Sequence, residues 1–259
     1  MSRAARRYLL LGVLAYLVFL GQQMPASLVL SWLQPRLGDA VVAYGVSGTL
    51  WQGRIQRLDV AGRRLRELHW RWLPGELLLG RLGVALEARV GEGYVRTELL
   101  RGLDGDLLLR NVDGRLDMPH LLRLVRVPGL KLEGELLLHL ERLLLDDGRP
   151  VAAQGRVAWL QAASLFPQRL ALGDLQAVLS ETEQGLRAQL GDAGDGPLAL
   201  NGELLLDDAG RYELELQLAA RQRNSALARA LRMLGRPDAK GRVTLQQSGS
   251  LAELGLAPR

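Results

Sequence analysis

The stretch Asn201-Gly202-Glu203-Leu204-Leu205-Leu206-Asp207-Asp208-Ala209-Gly210-Arg211-Tyr212-Glu213-Leu214-Glu215-Leu216-Gln217-Leu218 decides the fold class. After the turn, Tyr212, Leu214, Leu216 and Leu218 alternate with Glu213, Glu215 and Gln217. A period of two gives a strand one apolar and one polar face. Asp207, Asp208 and Gly210 supply turn chemistry ahead of it, so the pattern predicts an antiparallel hairpin. A related start, Glu133-Gly134-Glu135-Leu136-Leu137-Leu138, leads towards Asp146-Asp147-Gly148 and a further strand. The echo fits an internal duplication of a meander unit, near residues 36–130 and 131–259, or a coincidence in a leucine-rich chain.

Working outward from that hairpin, the same alternation recurs. Val42, Tyr44 and Val46 share one parity before Ser47-Gly48-Thr49. Leu58 and Val60 share a face with Ile55 out of phase, which predicts a bulge or an irregular start there. Leu68, Trp70 and Trp72 alternate with Glu67, His69 and Arg71 until Pro74-Gly75, and Glu76 to Gly80 reads as a short turn or helix. Strands are expected at Leu82 to Val90, Tyr94 to Leu100, Asp106 to Val112, Gly155 to Leu160, Gly173 to Leu179, Leu186 to Leu190 and Gly241 to Gln246, with a loop around Phe166-Pro167. Pro119 to Val125 predicts a helix capped by Asp117 and stopped by Pro128-Gly129. Asn224 is expected to cap a second helix through Ala226, Leu227, Ala230, Leu231 and Leu234, with Gly235 as its stop. That makes roughly ten or more strands and two short helices without the βα alternation a parallel sheet requires. The expected fold is mostly β and antiparallel, built of meander and hairpin repeats.

The other organising feature is Tyr8 to Leu30, which follows Arg3, Arg6 and Arg7. The unbroken apolar run, Tyr8 to Gly21, would cover only about 20 Å as a helix, less than a hydrocarbon core of about 30 Å. Apolar character resumes beyond Gln22, Gln23 and Pro25, and the combined segment is long enough to span. Trp32 suits a membrane interface. A retained anchor containing Tyr8, Leu14, Leu20 and Leu30 is the favoured reading. The rivals are a cleavable signal peptide, which lacks an A-x-A-like site, and a buried soluble helix. With the arginines holding the N-terminus in the cytoplasm, the expectation is a tail at 1–7, a transmembrane helix at 8–30 and an exported β-rich domain at 36–259.

Composition narrows the chemistry. Of the formal charge of +5, three units lie on Arg3, Arg6 and Arg7, and the rest of the chain has no long basic run or aromatic platform for nucleic acid. The 259 residues include no cysteine, which excludes disulfides and thiolate metal sites. His69, His120 and His139 are scattered, and His139-x-Glu141, whose spacing suits a shared strand face, is a weak metal motif. Gly45-Val46-Ser47-Gly48-Thr49 is misaligned for a nucleophile elbow and reads as a hairpin. Gly191-Asp192-Ala193-Gly194-Asp195-Gly196 has too few ligands for calcium and reads as a loop. These residues predict a protein that is not an enzyme and uses no cofactor.

One stretch points further. Val46-Ser47-Gly48-Thr49-Leu50-Trp51-Gln52-Gly53-Arg54, shortly after a single N-terminal apolar segment, resembles the signature of the type II secretion system protein N family. Trp70-x-Trp72 with Pro74 and Leu77-Leu78-Leu79-Gly80 extend the likeness, as do Arg223-Asn224, Leu234-Gly235, Asp238 and Gly241-Arg242. The resemblance implies a single-pass bacterial inner-membrane protein with a periplasmic domain, an accessory component that binds other secretion subunits. It makes Ser47, Gly48, Trp51, Gly53, Arg54, Trp70 and Trp72 the motif residues, either fold-holding or partner-binding. Some relatives are similar to AsmA-like envelope proteins, whose curved sheets carry an apolar groove, so lipid contact is the alternative the resemblance leaves open.

Overall fold

The computed structural model describes residues 12, 16, 21, 23–37, 41–60, 63–102, 105–125, 131–146, 148–165, 168–183, 185–222 and 225–250. Tyr8, Leu14 and Leu20 of the expected anchor, Asn224 and the Phe166-Pro167 loop lie outside them. Strand order in the sheet follows chain order through thirteen strands, and the strand pairs are antiparallel. Contacts divide the chain into two compact units, residues 1–72 with 84–89, and residues 73–83 with 90–259.

The first unit begins with α1 (Ala26–Leu37), which packs beside β1 (Val41–Gly48). β2 (Gln52–Val60) and β3 (Arg63–Trp72) follow, and β3 pairs with β4 (Arg81–Val90). The helix extends past the expected end at Leu30, and its start at Ala26 follows an isolated β-bridge between Pro25 and Thr49. Pro25 suits that position, because its fixed φ and missing N–H fit the start of a helix and not its interior. The run from Tyr8 to Leu30 is therefore interrupted at Met24-Pro25. Among the described residues no helix is long and apolar enough to cross a membrane. The irregularity expected at Ile55 is absent, since β2 keeps register with both neighbours and Ile55, between Val46 and Leu68, is buried. The register shift falls in β3 instead, between Arg66 and His69, where Glu67 takes a φ of 49°.

The second unit holds a 3-10 turn (Pro74–Leu79), β5 (Gly93–Gly102), β6 (Leu107–Asp117), α2 (Met118–Val125), β7 (Leu132–Asp146) and β8 (Arg149–Ser164). It continues with β9 (Leu170–Thr182), β10 (Gly185–Asp192), β11 (Leu198–Leu206), β12 (Arg211–Ala220), α3 (Ala226–Leu234) and β13 (Arg242–Ser250). In the deciding hairpin Leu206 pairs with Tyr212 and Leu198 with Ala220, so one face of β11 and β12 is apolar and mostly leucine. α3 lays Leu227 and Leu231 on that face, and these pack with Leu198, Leu218 and Val243. Each such leucine contributes about 1.5–3 kcal/mol when fully buried. A second cluster joins Ala153, Leu186, Leu206 and Tyr212. Ser225 caps α3, its hydroxyl accepting from the Ala228 N–H at 3.1 Å, so the cap lies one residue beyond the expected Asn224.

Candidate functional site

All seven motif residues converge on the tip of the β1–β2 hairpin and the end of β3. Gly48 pairs with Gly53, and Ser47 pairs with Arg54, whose Nε donates to the Ser47 hydroxyl at 3.3 Å. Gly48 has a φ of 97°, a conformation that glycine adopts without a Cβ penalty. At Gly53 a Cβ would lie 2.4 Å from the Ser47 carbonyl oxygen and 2.5 Å from the Trp70 ring. Only a bare backbone lets that indole lie so close. Trp70 Nε1 donates to the Leu50 carbonyl at 3.1 Å, and the Trp72 N–H donates to the Trp51 carbonyl at 2.7 Å. The Trp51 and Trp72 rings meet at 4.3 Å between centroids, tilted by 45°.

The tip also grips the residues leading out of the N-terminal segment. Trp51 Nε1 donates to the Gly21 carbonyl at 2.7 Å, and the Leu50 N–H donates to the Met24 carbonyl at 2.9 Å. The Leu50 bond belongs to the Pro25–Thr49 bridge, and that bridge and the Trp51 indole together fix the chain where helical backbone stops and α1 begins. Carbonyls ahead of a proline are left without intrahelical donors, and the hairpin supplies them. Sequence reasoning identified the motif but not its target, because nothing local links position 51 to position 21.

The remaining candidates are structural. His139 of β7 pairs with Asp113 of β6, with Nδ1 3.7 Å from the carboxylate, and a bulge between Leu140 and Arg142 breaks its alternation with Glu141. His120 Nδ1 lies 3.3 Å from Asp117, the expected cap. His69 is exposed on β3. Among the described residues no group of three or more such side chains could hold a metal.

In the Gly191–Gly196 loop, Asp192 accepts from the N–H groups of Leu200 at 2.7 Å and Gly194 at 2.9 Å, and from the Arg221 guanidinium. Burial pushes its pKa up, but the Arg221 hydrogen bond and the two N–H groups outweigh it and hold the carboxyl below its ordinary value. Its oxygens are thus committed to folding the loop. Beneath the 3-10 turn, the buried Glu76 accepts from Arg110 Nη2 at 2.8 Å, and Arg110 Nε donates to Glu98 at 2.7 Å. Above it Leu77, Leu78 and Leu79 are 47%, 91% and 68% exposed, with Leu82 at 57%. An open groove of about 600 Å³ on the sheet is lined by Gln176, Gln189, Asn201, Glu203, Glu215 and Gln217, with Val178 and Leu190 among them.

These features define a class: an antiparallel β-meander protein whose first hairpin clamps its N-terminal segment. The chain belongs to the type II secretion system protein N family, whose model matches residues 39–246. It is 30% identical to the type II secretion system protein N of Aeromonas hydrophila, over 93% of this chain and 96% of that protein. It is likewise 30% identical to the protein of that name from Klebsiella pneumoniae, over 90% and 91%, and 25% identical to the one from Vibrio cholerae, over 88% and 91%. No solved structure matches the chain. The family is a secretion component and is not known as an enzyme.

Proposed function

We propose that the chain is a non-enzymatic accessory component of the type II secretion system, anchored in the inner membrane through residues 8–30 with its N-terminus in the cytoplasm. Its β domain, residues 36–259, then lies in the periplasm and binds other secretion subunits. The observation that carries this reading is the match to protein N relatives over nearly the whole of both chains. Two physical features support it. A basic, apolar N-terminus followed at once by a clamp on Gly21 and Met24 is what a domain held close to an anchor requires. Leu77, Leu78 and Leu79 supply a cluster of exposed apolar side chains, a kind of surface that marks protein contacts when it is contiguous. They stand on a turn braced by Glu76 and Arg110, and other subunits of the system are the partners that family membership implies.

Lipid handling would need an apolar groove; the groove around Gln189 and Glu203 presents mainly amides and carboxylates, and a second one, of about 840 Å³, mixes Leu186, Leu206 and Tyr212 with Asp207, Arg211 and Glu213. The test is deletion of the gene with measurement of secreted enzymes in the medium, complemented by the wild-type chain and by a chain lacking residues 1–30. Loss of export restored only by the anchored chain is expected. Unchanged export would overturn the proposal.

A further inference from the structure

The two edge strands of the sheet are treated differently. β1 lies beside α1, and Thr49, the residue that follows it, is bridged to Pro25. β13 pairs with β12 on one side, and no described strand pairs with the other. Natural edge strands are usually blunted by lysine, proline, a bulge or shortness. β13 has nine residues, Arg242-Val243-Thr244-Leu245-Gln246-Gln247-Ser248-Gly249-Ser250, in unbroken register with β12, and within the strand only Arg242 is charged. Arg242 itself is occupied at the turn, where its N–H donates to Asp238 Oδ1 at 2.8 Å and its carbonyl accepts from the Asp238 N–H at 2.8 Å.

Those bonds turn the backbone groups of Arg242 away from its partner Ala219. Hydrogen-bonded and non-hydrogen-bonded pairs alternate along an antiparallel ladder. Val243, Leu245 and Gln247 therefore bond to β12, while the N–H and C=O groups of Thr244, Gln246 and Ser248 point outward. All three residues are exposed. The outward set is symmetric about Gln246. A twofold axis through Gln246, perpendicular to the sheet, would pair Gln246 with its own copy and Thr244 with the copy's Ser248. It would bring no like charges together. It would also keep Val243 and Leu245, which pack under α3, on the same face in both copies.

We propose that β13 is a self-association edge, through which two copies of this chain pair antiparallel about Gln246. One strand pair buries much less than the roughly 1,200–2,000 Å² of a standard stable interface, so the association is weak and favoured where copies are concentrated. The geometry makes it testable by cross-linking, since the chain has no native cysteine. Across such a pair the Cα atoms lie about 5.5 Å apart, within disulfide range.

In the purified full chain under mild oxidation, Gln246→Cys is expected to give a disulfide dimer and Thr244→Cys alone none. Thr244→Cys with Ser248→Cys should restore the dimer, and adding Gln246→Pro to that pair should abolish it while circular dichroism stays unchanged. Absence of the Gln246→Cys dimer, or equal cross-linking by Thr244→Cys alone, would overturn the proposal. Cross-linking of Gln246→Cys in the intact envelope to a different protein and never to its own copy would also overturn it, and would assign the edge to a partner strand.

Discussion

Trp51 reaches back thirty residues to donate its indole N–H to the carbonyl of Gly21 at 2.7 Å. The bond joins the signature of the β1–β2 hairpin to the segment the sequence marks as an anchor, and it gives a physical use to a tryptophan placed between two glycines. The ring is half-buried and also meets Trp72. Trp51→Ala removes both, and about 2–3 kcal/mol of stability should be lost, a little below the cost of emptying a fully buried site. Trp51→Phe keeps the ring contact and should lose about 1 kcal/mol for the hydrogen bond. Thermal unfolding followed by circular dichroism separates the two, and faster proteolysis near residue 21 should accompany both.

Gly53→Ala should destabilise the same unit by about 1–3 kcal/mol, the usual range for overpacking. The added methyl meets a backbone oxygen of Ser47 as well as the Trp70 ring. Trimming the ring in a Gly53→Ala, Trp70→Phe double variant should therefore fail to restore the melting temperature. Full restoration would mean that the ring alone sets the requirement for glycine.

The alternation of Tyr212 to Leu218 was legible because one face of β12 is buried and the other wet, so the period of two survives in the residue types. β8 was less so. It runs for 16 residues, whereas the recognisable alternation covered Gly155 to Leu160, because register shifts on both of its ladders break the period. Asn224 and Ser225 are both good caps, and sequence alone does not choose between neighbours. One repeat stands in the sequence that the reading of its two turns did not join: Asp207-x-x-Gly210-Arg211 and Asp238-x-x-Gly241-Arg242. In both, the aspartate accepts from the arginine N–H at 2.8 Å and from its Nε, at 2.7 and 2.9 Å. The Trp51 contact with Gly21 and the Glu76–Arg110–Glu98 chain left no trace, since their partners are 30, 34 and 12 residues apart.

Acid should loosen the second unit through Asp192. Its carboxyl is held below the ordinary value in the folded chain, so it contributes stability that is present above the unfolded carboxylate pKa of about 3.9 and lost as pH falls through the lower folded value. Asp192→Asn cannot titrate and also gives up the charge-assisted bond to Arg221. Its melting temperature should be lower than wild type at pH 7, with the difference shrinking towards pH 3. A difference that stays constant would mean that the carboxylate charge is not what holds the Gly191–Gly196 loop.

Leu78 separates folding from docking. At 91% exposure its side chain is almost wholly in water, so Leu78→Asp should change stability by no more than about 0.5 kcal/mol. If the Leu77–Leu79 turn seats a partner subunit, the same substitution removes an apolar anchor from that contact and places a charge in it. Hot-spot truncations cost about 2 kcal/mol or more, and a buried unpaired charge adds to that. Secretion in a complemented deletion strain should then fall sharply while the chain is present at wild-type levels. Glu76→Ala tests the support beneath: Arg110 keeps Glu98, but the turn loses its buried brace, so export should fall together with a modest drop in melting temperature. Normal export with Leu78→Asp would exclude the leucine turn as the docking surface and leave the family assignment untouched.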